Sequence, residues 1–142
     1  MATRNNKAKK GKVPPFAMLP KALIQSPGYR SLSFVARMVL IELLAQYNGH
    51  NNGDLSATRS MAKEWGIGSD NTLRQALKDL ESAGWIMQTR TSVFSKQGSK
   101  CALYAISWMP IDECPGKGLE VDETRLPPRP VPTLINSISS CA

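Results

Sequence analysis

Between residues 55 and 86 the chain reads LSATRSMAKEWGIGSDNTLRQALKDLESAGWI, in which apolar positions recur at helical spacing on both sides of a glycine-containing turn. Two short helices joined in this way constrain the fold more than any other part of the sequence. In the second helix Leu73, Ala76, Leu77 and Leu80 follow the i, i+3, i+4, i+7 rule and form a stripe to be buried. Asn71, Arg74, Gln75 and Lys78 keep the same spacing two residues out of phase, so at about 100° per residue they share the opposite surface. Asn and Gln can pair bidentately with adenine, Arg with guanine, and Lys can meet phosphate. Ser69, Asp70 and Thr72 stand at the helix start. Ser69 or Asp70 is the expected N-cap, and a free backbone amide there can bind a phosphate oxygen. An ordinary surface helix also turns a polar face to water, so the flanking segments decide between that reading and a helix that enters a DNA groove.

Upstream, residues 60–65 form a short helix with Met61, Ala62 and Trp65 inward, and the small Ala62 lets two helices approach closely. Gly66 ends it, because glycine accepts the left-handed conformation that closes a helix. Downstream, Ala83-Gly84 stops the second helix, and a strand-like run follows at 85–94, then a polar loop at 95–100 and a second strand at 101–108. Helix, turn, helix and hairpin in this order predict an α+β fold, the winged helix-turn-helix: a three-helix core with a β-hairpin wing, here with flexible termini. The wing carries Arg90, Lys96 and Lys100 separated by Thr and Ser. Lysines at the loop tip suit backbone contact rather than base reading, since Lys is a point charge. They also serve solubility and block edge pairing.

The stretch from Ser56 to Ile86 resembles the winged helix-turn-helix domains of GntR and MarR type bacterial regulators. The resemblance is carried by Ala62, Gly66, Asn71-Thr72-Leu73-Arg74, Ala76-Leu77, Leu80 and Gly84-Trp85-Ile86. It extends more loosely from Leu32 to Trp108. The turn at 66–70 is one residue longer than in those domains, which shifts the base-facing positions by about one residue. Residues 19–56, with LPKALIQSPGYRSLS and YNGHNNGDLS, are similar to small helix-turn-helix proteins of phages and other mobile elements. The resemblance implies a sequence-specific binder of double-stranded DNA, a transcriptional regulator of such an element, with replication initiation or partition as the alternative. Its DNA-binding residues would be Ser69, Asp70, Asn71, Thr72, Arg74, Gln75 and Lys78, with Arg90, Lys96 and Lys100 from the wing.

Charge is unevenly placed along the 142 residues, whose net charge is +7. Residues 1–12 hold five bases and no acid, residues 13–110 ten bases and six acids, and residues 111–142 three bases and five acids. The expected organisation is therefore a basic flexible arm at 1–15, a winged helix-turn-helix domain at 16–110 and a Pro-rich, acidic-leaning tail at 111–142. A basic arm without a core cannot fold alone. It can track phosphates through counterion release, or simply solubilise the terminus. The arm is too polar for a secretory signal and no apolar run spans a bilayer, which predicts a cytoplasmic protein with no membrane contact.

Ahead of the motif, Pro20 starts a short helix at 21–25 that Pro27-Gly28 is expected to end, and Ser33 caps a longer one at 34–47. Val35, Met38, Val39, Leu40, Ile41, Leu43 and Leu44 wrap most of that helix, so it is buried on several sides or covered by a second subunit. A homodimer through this helix would set two reading helices about 34 Å apart, one DNA turn. Residues 48–54 are dense in turn formers and lead into a short strand around Leu55-Ser56 that pairs with the wing. His50, the one histidine, belongs to a solvated turn, and Asp54 is a turn or cap residue.

Cys101, Cys114 and Cys141 form neither a disulfide framework nor a zinc site. Cys101 is expected in the core, and only Lys117 stands near enough to favour a thiolate at Cys114. After Trp108 the chain becomes irregular, and a polyproline-like stretch follows at 126–132. This tail could wrap the domain, bind another protein or stay disordered, and Glu120, Asp122 and Glu123 could compete with DNA for the basic surface. No Ser/His/Asp set, paired carboxylates, phosphate loop or metal motif is present, so neither an enzyme nor a cofactor is expected. The rival class is a protein-interaction module, since winged helices also bind proteins.

Overall fold

Ser33, in extended conformation, accepts a hydrogen bond from Ala36 N–H at 3.1 Å and so starts α3, Phe34–Gln46, the helix around which the rest packs. The computed structural model describes residues 13–130. The expectations for residues 1–12, for Cys141 and for the tail beyond 130 lie outside them. Among the described residues the fold is α+β, with α1 Lys21–Ile24, α2 Pro27–Arg30, α3, α4 Arg59–Glu64, α5 Asp70–Ser82, β1 Ile86–Arg90 and β2 Leu103–Ile106. Ala36, Val39, Leu40, Leu43 and Leu44 of α3 are buried together with Leu73, Ala76 and Leu80 of α5 and Ala62 of α4. The first helix stops ahead of Pro27 as expected, at Ile24, and Pro27 in addition begins a second, unexpected one. It occupies the first turn of α2, where its missing N–H costs nothing, and Ser26 caps that turn by accepting from Tyr29 N–H at 3.2 Å.

Both α4 and α5 end in the same way. Gly66 and Gly84 take φ of +90° and +81°, a left-handed conformation that favours glycine. The residue after each glycine then donates back to the last turn: Ile67 N–H to Ala62 O at 2.8 Å and Trp85 N–H to Leu80 O at 2.9 Å. This is the Schellman closure, and it plants a buried side chain, Ile67 or Trp85, immediately past each helix. Trp85 lies edge-on to Tyr29 and to Trp108, with ring centroids 6.0 Å apart in each pair. The helices are thereby anchored to the α2 turn and to the end of β2 by one indole.

The two strands pair antiparallel with Ile86 opposite Ile106, Met87 opposite Ala105 and Gln88 opposite Tyr104. The register then slips so that Arg90 faces Leu103, leaving Thr89 as the extra residue of a bulge. Thr89 is fully buried, and its hydroxyl donates to Gly53 O at 2.6 Å. The expected strand at Leu55-Ser56 is a single bridge, Leu55 to Tyr104, on the other edge of β2. Both hairpin strands are shorter than 85–94 and 101–108, since beyond the Arg90–Leu103 pair only Val93 and Lys100 still pair. Cys101 accordingly lies outside the strand and is exposed, not a core residue.

The tail from 111 to 130 is irregular, and it lies against the domain as a strap. Ile111 is buried, and Asp112 and Asn52 exchange two hydrogen bonds at 2.8 Å. Farther on, Glu120 N–H donates to the bulge carbonyl of Thr89 at 2.7 Å, and Arg129 N–H to Ser107 O at 2.8 Å. The Glu120 carboxylate accepts from the Thr91 hydroxyl at 2.6 Å and from Thr91 N–H at 3.2 Å. Those bonds, with Arg90 nearby, hold its pKa below the ordinary glutamate value. Because the folded value is the lower one, this contact is complete above the usual glutamate range and is lost as pH falls through the depressed pKa. The protection factor of the Thr91 amide, its exchange rate referred to the intrinsic rate at each pH, is expected to fall on acidification in the native chain and to show no such step in Glu120→Gln.

Candidate nucleic-acid interface

Burial of Leu73, Ala76 and Leu80 fixes the rotation of α5 and leaves Asn71, Thr72, Arg74, Gln75 and Lys78 exposed along its outer side. The four ridge residues read from the periodicity therefore protrude together. Ser69 occupies the N-cap position in extended conformation, but its side chain makes no capping bond, and Asp70 supplies the acidic group of the first turn. Asp70 lies between two guanidinium groups: Arg74 Nη2 is 3.3 Å from Oδ2, and Arg59 Nε is 3.9 Å from Oδ1. One turn farther along, Gln75 Nε2 donates to Asp79 Oδ1 at 2.8 Å. Among the described residues Lys78 forms no ion pair.

These ion pairs are exposed at their arginine ends, and pairs of that kind contribute at most about 1 kcal/mol. Arg74 and Arg59 can thus leave Asp70 for an incoming anion at little cost. Arg59 was not among the residues singled out from the sequence. It sits at the start of α4, where Thr58 caps the helix by accepting from Met61 N–H at 3.2 Å. Its approach to Asp70 depends on how tightly the intervening turn folds, and helix periodicity carries no signal for that. Lys63 on α4 lines the same shallow cleft with Arg59, Gly68 and Ser69, so the basic surface continues from α5 onto α4.

Arg90 takes a different part from the one expected. Its Nε and Nη2 donate to Cys101 O at 3.1 and 2.7 Å, and its Nη1 donates to Lys117 O at 2.6 Å. The guanidinium thus ties β1 to the opposite arm of the hairpin and to the strap, and it is spent on the fold. Lys96 and Lys100 are both exposed at the hairpin tip. They lie past the end of β1, on the hairpin and not on α5.

The remaining reactive side chains offer little chemistry. His50 is exposed in its turn, where its backbone N–H donates to Asn48 Oδ1 at 2.9 Å. Burial pushes the Cys114 thiol up, with Asp54 and Asp112 adding to the effect and Lys117 opposing it, so the thiolate is disfavoured rather than promoted. Asp54 is paired with Lys117 Nζ at 3.4 Å. Of the tail acids, Glu120 is held at Thr91, at the base of the hairpin, so its carboxylate is already engaged. No helix among the described residues is long and apolar enough to cross a membrane. The sequence matches no protein-family model, and no curated protein or solved structure is significantly similar to it.

Proposed function

We propose that this chain is a winged helix-turn-helix protein that binds double-stranded DNA sequence-specifically, with α5 in the major groove and the hairpin as its wing, and that it regulates transcription in a phage or other mobile element. The observation that carries this reading is the ridge of Asn71, Arg74, Gln75 and Lys78, exposed on the second helix of a turn whose two helices are each closed by a glycine. Forked donors and amides at one-turn intervals suit base edges, and the lysines suit phosphates. Arg59 and Lys63 extend the phosphate-binding surface to α4. In this reading the protein acts as a homodimer through α3. Phe34, Ile41 and Ala45 are exposed and Met38 is half-buried on its outer side, spaced i, i+4, i+7 and i+11. Light scattering that reports only monomer at high concentration removes the dimer.

The two kinds of contact predict different mutational signatures. Arg74→Ala is expected to cost about 1–3 kcal/mol on the preferred sequence and to relax discrimination at one base position. Lys96→Ala or Lys100→Ala is expected to weaken all duplexes alike and to lower the slope of log affinity against log salt by about 1 each. Fragments selected from random-sequence DNA by the native chain, then titrated with each variant over a range of salt, check both. Equal loss on every sequence for Arg74→Ala would reassign that residue to the phosphate backbone.

A further inference from the structure

The hairpin tip carries a large apolar side chain that the fold does not use. Phe94 is 86% exposed, the most exposed of the large apolar residues described, and Val93 beside it is half exposed. The tip is nevertheless well tied. Val93 and Lys100 exchange two backbone hydrogen bonds at 2.9 Å, Gly98 N–H donates to Ser95 O at 3.2 Å, and the Ser95 hydroxyl donates to Gly98 O at 2.8 Å. Phe94 thus stands on a closed six-residue loop, and nothing among the described residues covers it. Between Glu81 and Asp112, over residues 82–111, the chain contains Arg90, Lys96 and Lys100 and no acid. With Arg90 committed to carbonyls, the other two cations of the hairpin are Lys96, in the same loop as Phe94, and Lys100, in the pair that closes it.

An exposed aromatic ring that shares a hydrogen-bonded hairpin tip with two exposed cations suits the stacked bases of a duplex between two phosphate rails. We propose that Phe94 is a wedge that enters a base step from the minor groove and unstacks it, while Lys96 and Lys100 hold the phosphates on either side. The inference rests on the DNA-binding reading and deepens it, because it assigns shape readout to the wing. Apolar wedges of this kind kink DNA toward the major groove, and pyrimidine–purine steps such as TA yield most easily. Specificity would then come partly from α5 reading base edges and partly from the deformability of the step beneath the wing.

The test uses the full chain and an alternating dA·dT duplex with 2-aminopurine placed at TA steps, at low salt. Native protein is expected to raise the 2-aminopurine fluorescence by unstacking the base. Phe94→Ala is expected to abolish that rise, to weaken binding about tenfold and to leave the salt slope unchanged, because it removes buried apolar area and no charge. Phe94→Leu, which keeps an apolar wedge, is expected to restore part of both signals. If Phe94→Ala binds and fluoresces like the native chain, the wedge is wrong and the DNA-binding reading stands. If Phe94→Ala changes only self-association, measured by light scattering, Phe94 belongs to a protein contact and the wedge is likewise wrong. If the native chain ignores this duplex and random-sequence duplexes alike, the DNA-binding reading itself fails, and the wedge fails with it.

Discussion

Replacing Asn52 with alanine is expected to destabilise the protein by about 3–5 kcal/mol, a large share of the roughly 5–15 kcal/mol that holds a domain of this size together. Asn52 is 0% exposed, and its side-chain amide does the work of a missing strand at the end of β2. Its Oδ1 accepts from Ile106 N–H at 2.7 Å, while Nδ2 donates to Ile106 O at 3.0 Å, to Met109 O at 3.2 Å and to Pro110 O at 2.8 Å. The Asn52 backbone meanwhile exchanges hydrogen bonds with Asp112, where the strap begins. Alanine leaves the Ile106 N–H and the Met109 and Pro110 carbonyls without this partner, while Ile106 O keeps only the long bond from Met109 N–H at 3.5 Å, and each such loss costs about 1–3 kcal/mol before water relaxes it. Aspartate is the informative control: it can still accept from Ile106 N–H, but when ionised it faces three carbonyl oxygens with no proton to donate. Urea denaturation is expected to rank native, then Ala, with Asp no better than Ala. A loss below about 1 kcal/mol for Asn52→Ala would mean that water replaces the amide without penalty.

Truncating Trp85 to alanine is expected to cost about 3–5 kcal/mol and to lower the melting temperature by more than about 10 °C. The indole is almost fully buried, and it touches three separate parts of the fold: the α2 turn through Tyr29, the end of β2 through Trp108, and α5, whose last turn its own backbone closes. Phenylalanine keeps an edge-on aromatic at this point and is expected to recover part of the loss. Thermal unfolding followed by circular dichroism measures both variants. A drop of only a few degrees for Trp85→Ala would show that the helices and the hairpin are not coupled through this residue.

What could be read before the structure was known is uneven, and the unevenness has physical causes. The rotation of α5 was legible because Leu73, Ala76 and Leu80 repeat at the helical period, and the two helix ends were legible because Gly66 and Gly84 supply a backbone conformation that other residues rarely adopt. Ser33 announced α3 by the same local logic. The positions that escaped depend on contacts between residues far apart in sequence. Arg90 is one arginine among several until Cys101 and Lys117 arrive to accept from it, and Arg59 reaches Asp70 only across a folded turn. The hairpin strands looked longer than they are because alternation of residue types does not reveal the bulge at Thr89, which is fixed by Gly53 and Glu120 from elsewhere in the chain. The strap was one of three options for a Pro-rich tail. Its buried Ile111 and its backbone bonds to Thr89 and Ser107 show that residues 111–130 lie against the domain.

We propose that the outer side of α5 is, before all else, a duplex-binding surface. A titration of isotopically labelled full-length protein with a random-sequence duplex at low salt, followed by amide and side-chain chemical shifts, tests it residue by residue. Perturbations are expected to concentrate on Asn71, Arg74, Gln75 and Lys78, to continue to Arg59, Lys63, Lys96 and Lys100, and to collapse as salt is raised. A protein whose spectrum is unmoved by duplex, or moved chiefly along the outer side of α3 or the strap, would contradict it.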